Sequence, residues 1–199
     1  MMASNLQKKE GAAPDFDRKE LGKKYPIVVV KYDPAWPELY QAEARFLKSL
    51  FGPGVIVRIE HFGSTAVPGS AAKPVIDILV EVTSFKTAKR KIIPELKNQG
   101  YDYNWVTNQP KPPGHMMFVK GYDVEGTERL RYHLHMAPAG HPLWDRLLFR
   151  DYLRRHPETV RRYEKLKYRL AGLYRNDREA YTEGKAGFVK KITDKARKL

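Results

Sequence analysis

From Pro26 onward, apolar positions recur either at every second residue or at helical spacing, and the switches between the two periods mark the elements. Residues 27–32, IVVVKY, are a short β-branched run that reads as a strand. After Asp33-Pro34, Trp36, Leu39, Tyr40, Phe46, Leu47 and Leu50 fall at helical intervals until Gly52-Pro53-Gly54 ends the pattern. Val55 to His61 then alternates, with Val55, Val57 and Ile59 opposite Arg58 and Glu60, as a half-buried strand does. The loop GSTAVPGSAAKP leads to a second strand, Val75 to Val82, whose Ile76, Ile78, Val80 and Val82 share one face while Val75, Asp77, Leu79 and Glu81 share the other.

Ser84 to Gln99 has helical character, with Ser84 as N-cap and Gly100 at the C-terminal end. Strand patterns resume at Tyr101 to Val106 and at Met116 to Tyr122. Glu128 to Met136 alternates again, setting Arg129, Arg131, His133 and His135 on one face against Leu130, Tyr132, Leu134 and Met136. Beyond Pro138 the spacing predicts three helices, broken at His156-Pro157 and near Asn176-Asp177. The pattern is that of an α+β chain: a sheet with helices packed on it and a C-terminal helical extension. It divides into a flexible tail over 1–24, an α/β core over 25–140, and a basic helical extension over 141–199 packed on that core.

Composition narrows the chemistry. A length of 199 residues suits one main domain. The absence of cysteine excludes a disulfide framework, a thiolate nucleophile and a cysteine zinc site, so a metal would rest on oxygen or imidazole. With no long apolar run and a polar N-terminus, the chain reads as soluble and cytoplasmic, with no membrane partner. The formal charge is +14, and 141–199 hold seventeen Lys and Arg against eight Asp and Glu, nine of those fourteen net charges. Such a charge favours phosphates and nucleic acids as partners. The basic helices themselves read as solvated faces, with Tyr163, Leu166 and Leu170 as core anchors.

Candidate chemistry centres on His61 to Glu81. Gly63-Ser64 directly follows a strand, where glycine lets backbone N–H groups approach a phosphate and serine adds a hydroxyl; Thr65 extends that loop. Asp77, on the next strand, suits a hard cation accompanying a phosphate chain. Lys73 either meets a phosphate or is an ordinary loop lysine, and Glu60 and His61 either close the pocket or end a strand. Arg129 and Arg131 present charge suited to phosphate, and His133 and His135 direct both rings to one face as ligands, bases or structural imidazoles.

The segment HFGSTAVPGSAAKPVIDILV resembles the signature of the GrpB family of the nucleotidyltransferase-like superfamily. YDPAWPELYQAEA, RYHLHMAPAGHP and FRDYLRRHPETVRRYEKLKYRLA resemble further segments of that family, so the resemblance runs from about Tyr25 to Ala196. It implies a nucleotidyltransferase-like mixed sheet flanked by helices. It also implies a nucleoside triphosphate at Gly63-Ser64, a divalent metal (Mg²⁺, with Mn²⁺ or Zn²⁺ as alternatives) on Asp77, and transfer of a nucleotidyl group to an acceptor. The superfamily pattern sets a second acid two residues after the first; here Leu79 stands in that place. The next acid on the same face, Glu81, lies about 13 Å from Asp77 along the strand at roughly 3.3 Å per residue, too far to share one ion with it. His133 or His135, which the resemblance sets at the edge of the site, would supply a further ligand and favour a transition metal. Two other readings stand beside the enzyme: a binding module for a nucleotide or phosphorylated metabolite that has lost transfer chemistry, and an RNA-associated protein using the basic helices. Acceptor, nucleotide base and oligomeric state stay open at this level.

Overall fold

The computed structural model describes residues 18–106, 114–122 and 130–199. Arg18–Lys24 forms a short helix, α1, over the last seven residues of the segment expected to be a tail. Its ordering has a tertiary cause: Gly22 is buried against the backbone of Asn176, and just beyond the helix Ile27 N–H donates to the Arg175 carbonyl at 2.6 Å. Residues 27–32, expected as a strand, make one isolated bridge, Val30 to Ala72. This stretch runs from the C-terminal helices to the loop before the second strand, so no neighbouring strand is available to extend the ladder.

Trp36–Leu50 forms α2 as the spacing predicts. Among the described residues there follow β1 (Ile56–Phe62), β2 (Val75–Val82), α3 (Phe85–Asn98), β3 (Asp102–Val106), β4 (His115–Lys120) and β5 (Arg131–Ala137). Ser84 caps α3 by accepting the Thr87 N–H at 3.1 Å. The strands make one mixed sheet in the order β1-β2-β5-β4-β3, with β2 and β5 parallel and the other pairs antiparallel. This is the expected class, a mixed sheet flanked by helices.

β1 departs from simple alternation. Ile56 pairs with Val82 and Arg58 with Glu81, so Val57 is an extra residue in the ladder. That bulge turns Val57 outward, 57% exposed, and leaves Ile56 buried instead. Period-two reading cannot anticipate it, because a bulge is set by the partner strand.

The sheet has two unlike faces. Ile76, Ile78, Val80 and Val82 of β2 join Leu134 and Met136 of β5, Met116 and Phe118 of β4, Leu47 of α2 and Ala88, Ile92 and Leu96 of α3 in the main core. The other face carries Asp77, His133, His135 and His115. Past a 3-10 turn at Pro142–Asp145, three helices follow with the breaks expected: α4 (Arg146–Arg155), α5 (Pro157–Leu173) and α6 (Arg178–Ala196). They bury their apolar stripes against the loop after β1, through Val67 with Leu153, Val160 and Tyr163, and against Ile27 through Leu170 and Tyr181. No helix of the described residues is long and apolar enough to cross a membrane.

Candidate functional site

The ladder itself assembles the site. In the parallel β2–β5 pair, Asp77 lies opposite His133 and Leu79 opposite His135. Paired residues of adjacent strands project to the same face, so the carboxylate meets the imidazole across one strand spacing. In the antiparallel β1–β2 pair, Phe62 is opposite Asp77, and the chain leaves β1 at the next residue. Gly63 therefore turns directly over the carboxylate. It has φ +74°, and a Cβ there would lie 2.5 Å from Asp77 Oδ2. Both the left-handed backbone and the close approach demand glycine.

The loop after Gly63 is fastened from two sides. Thr65 is buried, and its hydroxyl donates to the Val75 carbonyl at 3.1 Å. With that proton committed, His61 Nε2, 3.1 Å away, is the donor to Thr65. Burial lowers His61 to about 4, consistent with a neutral imidazole, and the ring stacks on Tyr40. Thr65 and His61 thus tie the loop to β2. Glu60 is engaged by Arg150 at 2.9 Å, and the same guanidinium donates to the His61 carbonyl. From α5, Lys167 donates to Ser64 Oγ at 3.2 Å, to Ser70 Oγ at 3.1 Å and to the Ala71 carbonyl, while Glu164 accepts the Ala71 N–H. Lys167 is 2% exposed, and burial lowers its ammonium to about 7. In RRYEKLKYRL it stands four residues after Tyr163 and three before Leu170, on the face of the core anchors, a positional signal that its charge masks.

Around Asp77 the hydrogen bonds have a direction. Arg178 can only donate, and it does so to the Tyr122 hydroxyl oxygen at 3.0 Å. The Tyr122 O–H then points to His133 Nε2 at 2.8 Å, which leaves His133 Nδ1–H facing Asp77 Oδ1 at 3.4 Å. Burial pushes the Asp77 carboxyl up, but the His133 contact and the charge of Lys73 outweigh it and hold the group below its ordinary value. Burial likewise lowers His133, against the pull of Asp77, and lowers His135 further. His135 Nδ1 is 3.0 Å from His115 Nε2; His115 is 1% exposed, and its Nδ1 finds no partner among the described residues.

Asp77, His133 and His135 offer donor atoms within 4.8 Å of one another. Among the described residues, no second acid joins Asp77 in this group. Leu79 is fully buried with Phe62, Ala137 and Leu143, and Glu81 is paired with Arg58 at 3.2 Å. One carboxylate with two imidazoles suits a transition metal such as Zn²⁺ better than Mg²⁺, which favours oxygen.

Lys73 and Arg131 both lie on this side of the sheet, and Arg129 falls outside the described residues. The sequence reading did not single out three further cations, Arg146 of α4 and Arg178 and Lys185 of α6, although Arg146 and Lys185 feel the charge of Asp77. The excess of Lys and Arg in 141–199 was a signal for them, but it does not say which of those cations turn toward the sheet. A separate surface cleft of about 400 Å³ lies between Pro68-Gly69 and α4–α5, lined in part by Arg154, Val160 and Arg161, and does not include Asp77.

Residues 26–195 match the family model described as GrpB protein. The chain is 43% identical over 172 residues to a UPF0157 protein of Pseudomonas aeruginosa, an alignment covering 85% of this chain and 67% of that one. It is 34% identical over 177 residues to a UPF0157 protein of Bacillus subtilis, covering 88% of this chain and 48% of that relative. The chain thus spans about two thirds of the first relative's length and about half of the second's. The crystal structure of conserved protein GrpB from Enterococcus faecalis superposes with a TM-score of 0.73 at 32% identity, covering 86% of this chain and 98% of that one. The segment from β1 to β2 that seats Gly63 on Asp77, and the helices that fasten it, lie within the matched span, and the chain belongs to the GrpB family.

Proposed function

We propose that the Asp77 face binds a nucleoside triphosphate or a related phosphorylated metabolite, and that the chain is a nucleotidyltransferase-like protein passing a nucleotidyl group to a hydroxyl or amine acceptor. The observation that supports this most is the seating of the Gly63-Ser64 turn on the Asp77 carboxylate, with a Cβ at Gly63 excluded at 2.5 Å. A glycine-serine turn beside an acid joins a phosphate-binding loop to a group that handles the reacting end. In the transfer, the acceptor oxygen or nitrogen bonds to the α-phosphorus, the bond from that phosphorus to its bridging oxygen breaks, and pyrophosphate leaves. The acceptor's proton passes to a neutral imidazole, His133 or His135. If a metal takes part, Asp77, His133 and His135 would hold it, the two imidazoles then serving as ligands and not as the base, and it would supply Lewis-acid stabilisation of the phosphoryl oxygens.

A second reading, a binding module without transfer, is favoured by Leu79, which fills the second acid's place with buried hydrocarbon. Thermal-shift titration of the four nucleoside triphosphates, with and without Mg²⁺, Mn²⁺ or Zn²⁺, tests both readings on the wild type and Asp77→Asn, because a ligand of the native state raises its melting temperature. A shift lost in Asp77→Asn supports the site. A shift unchanged in that variant overturns the role of Asp77. A shift with no pyrophosphate released in the presence of candidate acceptors favours the binding module.

A further inference from the structure

We infer that Lys73, Arg131, Arg178 and Lys185 form a binding site for a linear chain of phosphates that works without a divalent metal. The inference deepens the nucleotide reading by naming the part of the ligand that is recognised. Its basis is where these four side chains end. Lys73 Nζ lies 5.2 Å and Lys185 Nζ 4.1 Å from the centre of the Tyr181 ring. The guanidinium carbons of Arg131 and Arg178 lie 5.5 Å and 5.7 Å from the centre of the Tyr122 ring. Two tyrosines thus each gather a pair of like charges. Ring faces offset part of that repulsion, but none of the four cations forms an ion pair with a carboxylate among the described residues, while surface cations such as Lys190 and Arg197 do. Arg131 Nε is buried with no hydrogen-bond partner among the described residues.

Burial acts most strongly on Lys73, followed by the charges of Lys185 and Arg178, with Asp77 opposing them and Arg131 adding a smaller push. Together these lower Lys73 to about 7, and burial lowers Lys185 to about 8. Holding several half-buried like charges together is unfavourable unless an anion joins them. A triphosphate, with roughly one negative charge per phosphate and a second on the terminal one, matches four cations set against one carboxylate. Arginine supplies forked donors and lysine a point charge, the two means by which proteins hold phosphate oxygens. In a site with two metal-binding acids, metal ions neutralise this chain; with Leu79 in the second position, fixed side chains from β5, α6 and the segment before β2 take over that work.

The test is isothermal titration of the full chain in excess EDTA with inorganic tripolyphosphate, pyrophosphate, orthophosphate and ATP. Tripolyphosphate is expected to bind at least about tenfold more tightly than orthophosphate, and the double variant Arg178→Gln/Lys185→Gln to weaken it by about tenfold or more. Lys185→Arg keeps the charge and should keep the binding, which separates loss of charge from loss of fold. Lys190→Gln, on the exposed side of α6, should leave binding unchanged. Equal weakening by Lys190→Gln would reduce the effect to net charge and overturn the site. Binding of ATP only with metal, with none of tripolyphosphate in EDTA, would overturn the inference and leave the nucleotide reading standing. Binding of tripolyphosphate with no nucleotide bound under any condition would do the reverse.

Discussion

The two faces of the one sheet are built on opposite principles. On the face toward α2 and α3, Ile76, Ile78, Val80, Met116, Phe118, Leu134 and Met136 have no exposed surface. Its buried polar contact, Tyr101 O–H donating to Glu43, is paired. On the other face the same strands present Asp77, His133, His135 and His115, with Arg131 of β5, Arg146 of α4 and Arg178 and Lys185 of α6 making no ion pair with a carboxylate among the described residues. Apolar burial stabilises at roughly 25 cal/mol per Å², whereas half-buried like charges are destabilising unless an anion is supplied. One face holds the fold and the other draws on that stability to keep charge in place.

The contrast breaks most readily on the apolar side. Ile78→Ala is expected to lower unfolding free energy by about 2–5 kcal/mol, measured by urea denaturation, while ligand-induced shifts persist; a loss under about 1 kcal/mol would mean that this face is not the main core. Next in size is Gly63→Ala, where positive φ and the Asp77 contact together should remove roughly 1–3 kcal/mol and abolish any nucleotide shift. Repeating it in an Asp77→Ala background should recover the part due to the clash, and a double-mutant cycle showing no coupling would refute the close approach.

A smaller, graded effect is expected from pH. Lys73, Lys167 and Lys185 are lowered to about 7, 7 and 8 from 10.5. Between those values the unfolded chain binds protons that the folded chain has released, so stability should rise with pH from about 7 toward 10. Melting temperatures that fall across that window would contradict the buried placement of these ammonium groups. Tripolyphosphate, by favouring the charged forms of Lys73 and Lys185, should flatten part of the rise. The smallest change belongs to Lys190→Gln, whose exposed pairing with Asp194 at 2.6 Å is of the i,i+4 kind, and the melting temperature should barely move.

Most of the elements were legible in the sequence because each is specified locally. The Ser84 cap, the breaks at His156-Pro157 and Asn176-Asp177, and the alternation of β2 all depend on residues within a few positions of one another. Errors came where a partner decides. Residues 27–32 have strand composition but no adjacent strand, Val57 is turned out by a bulge against β2, and α1 is ordered by the Asn176 backbone. At the site, Gly63, Ser64 and Asp77 were visible as a motif. Thr65 proved to be a tie between loop and strand, Glu60 a partner of Arg150, and Lys167, Arg178, Lys185, Tyr122 and His115 were missed.

The sequence by itself determined the class of fold, the glycine-serine turn, the aspartate and the absence of a second acid at Leu79, since these are properties of identity and short-range order. Only the tertiary structure decided that Asp77 and His133 are partners, because their meeting depends on the parallel register of strands more than fifty residues apart. It likewise decided which helical cations leave solvent, because a basic side chain near an apolar stripe can reach water or turn in until the helix packs, and here Leu153, Val160, Tyr163, Leu170 and Tyr181 fix the packing that turns Lys167, Arg178 and Lys185 inward.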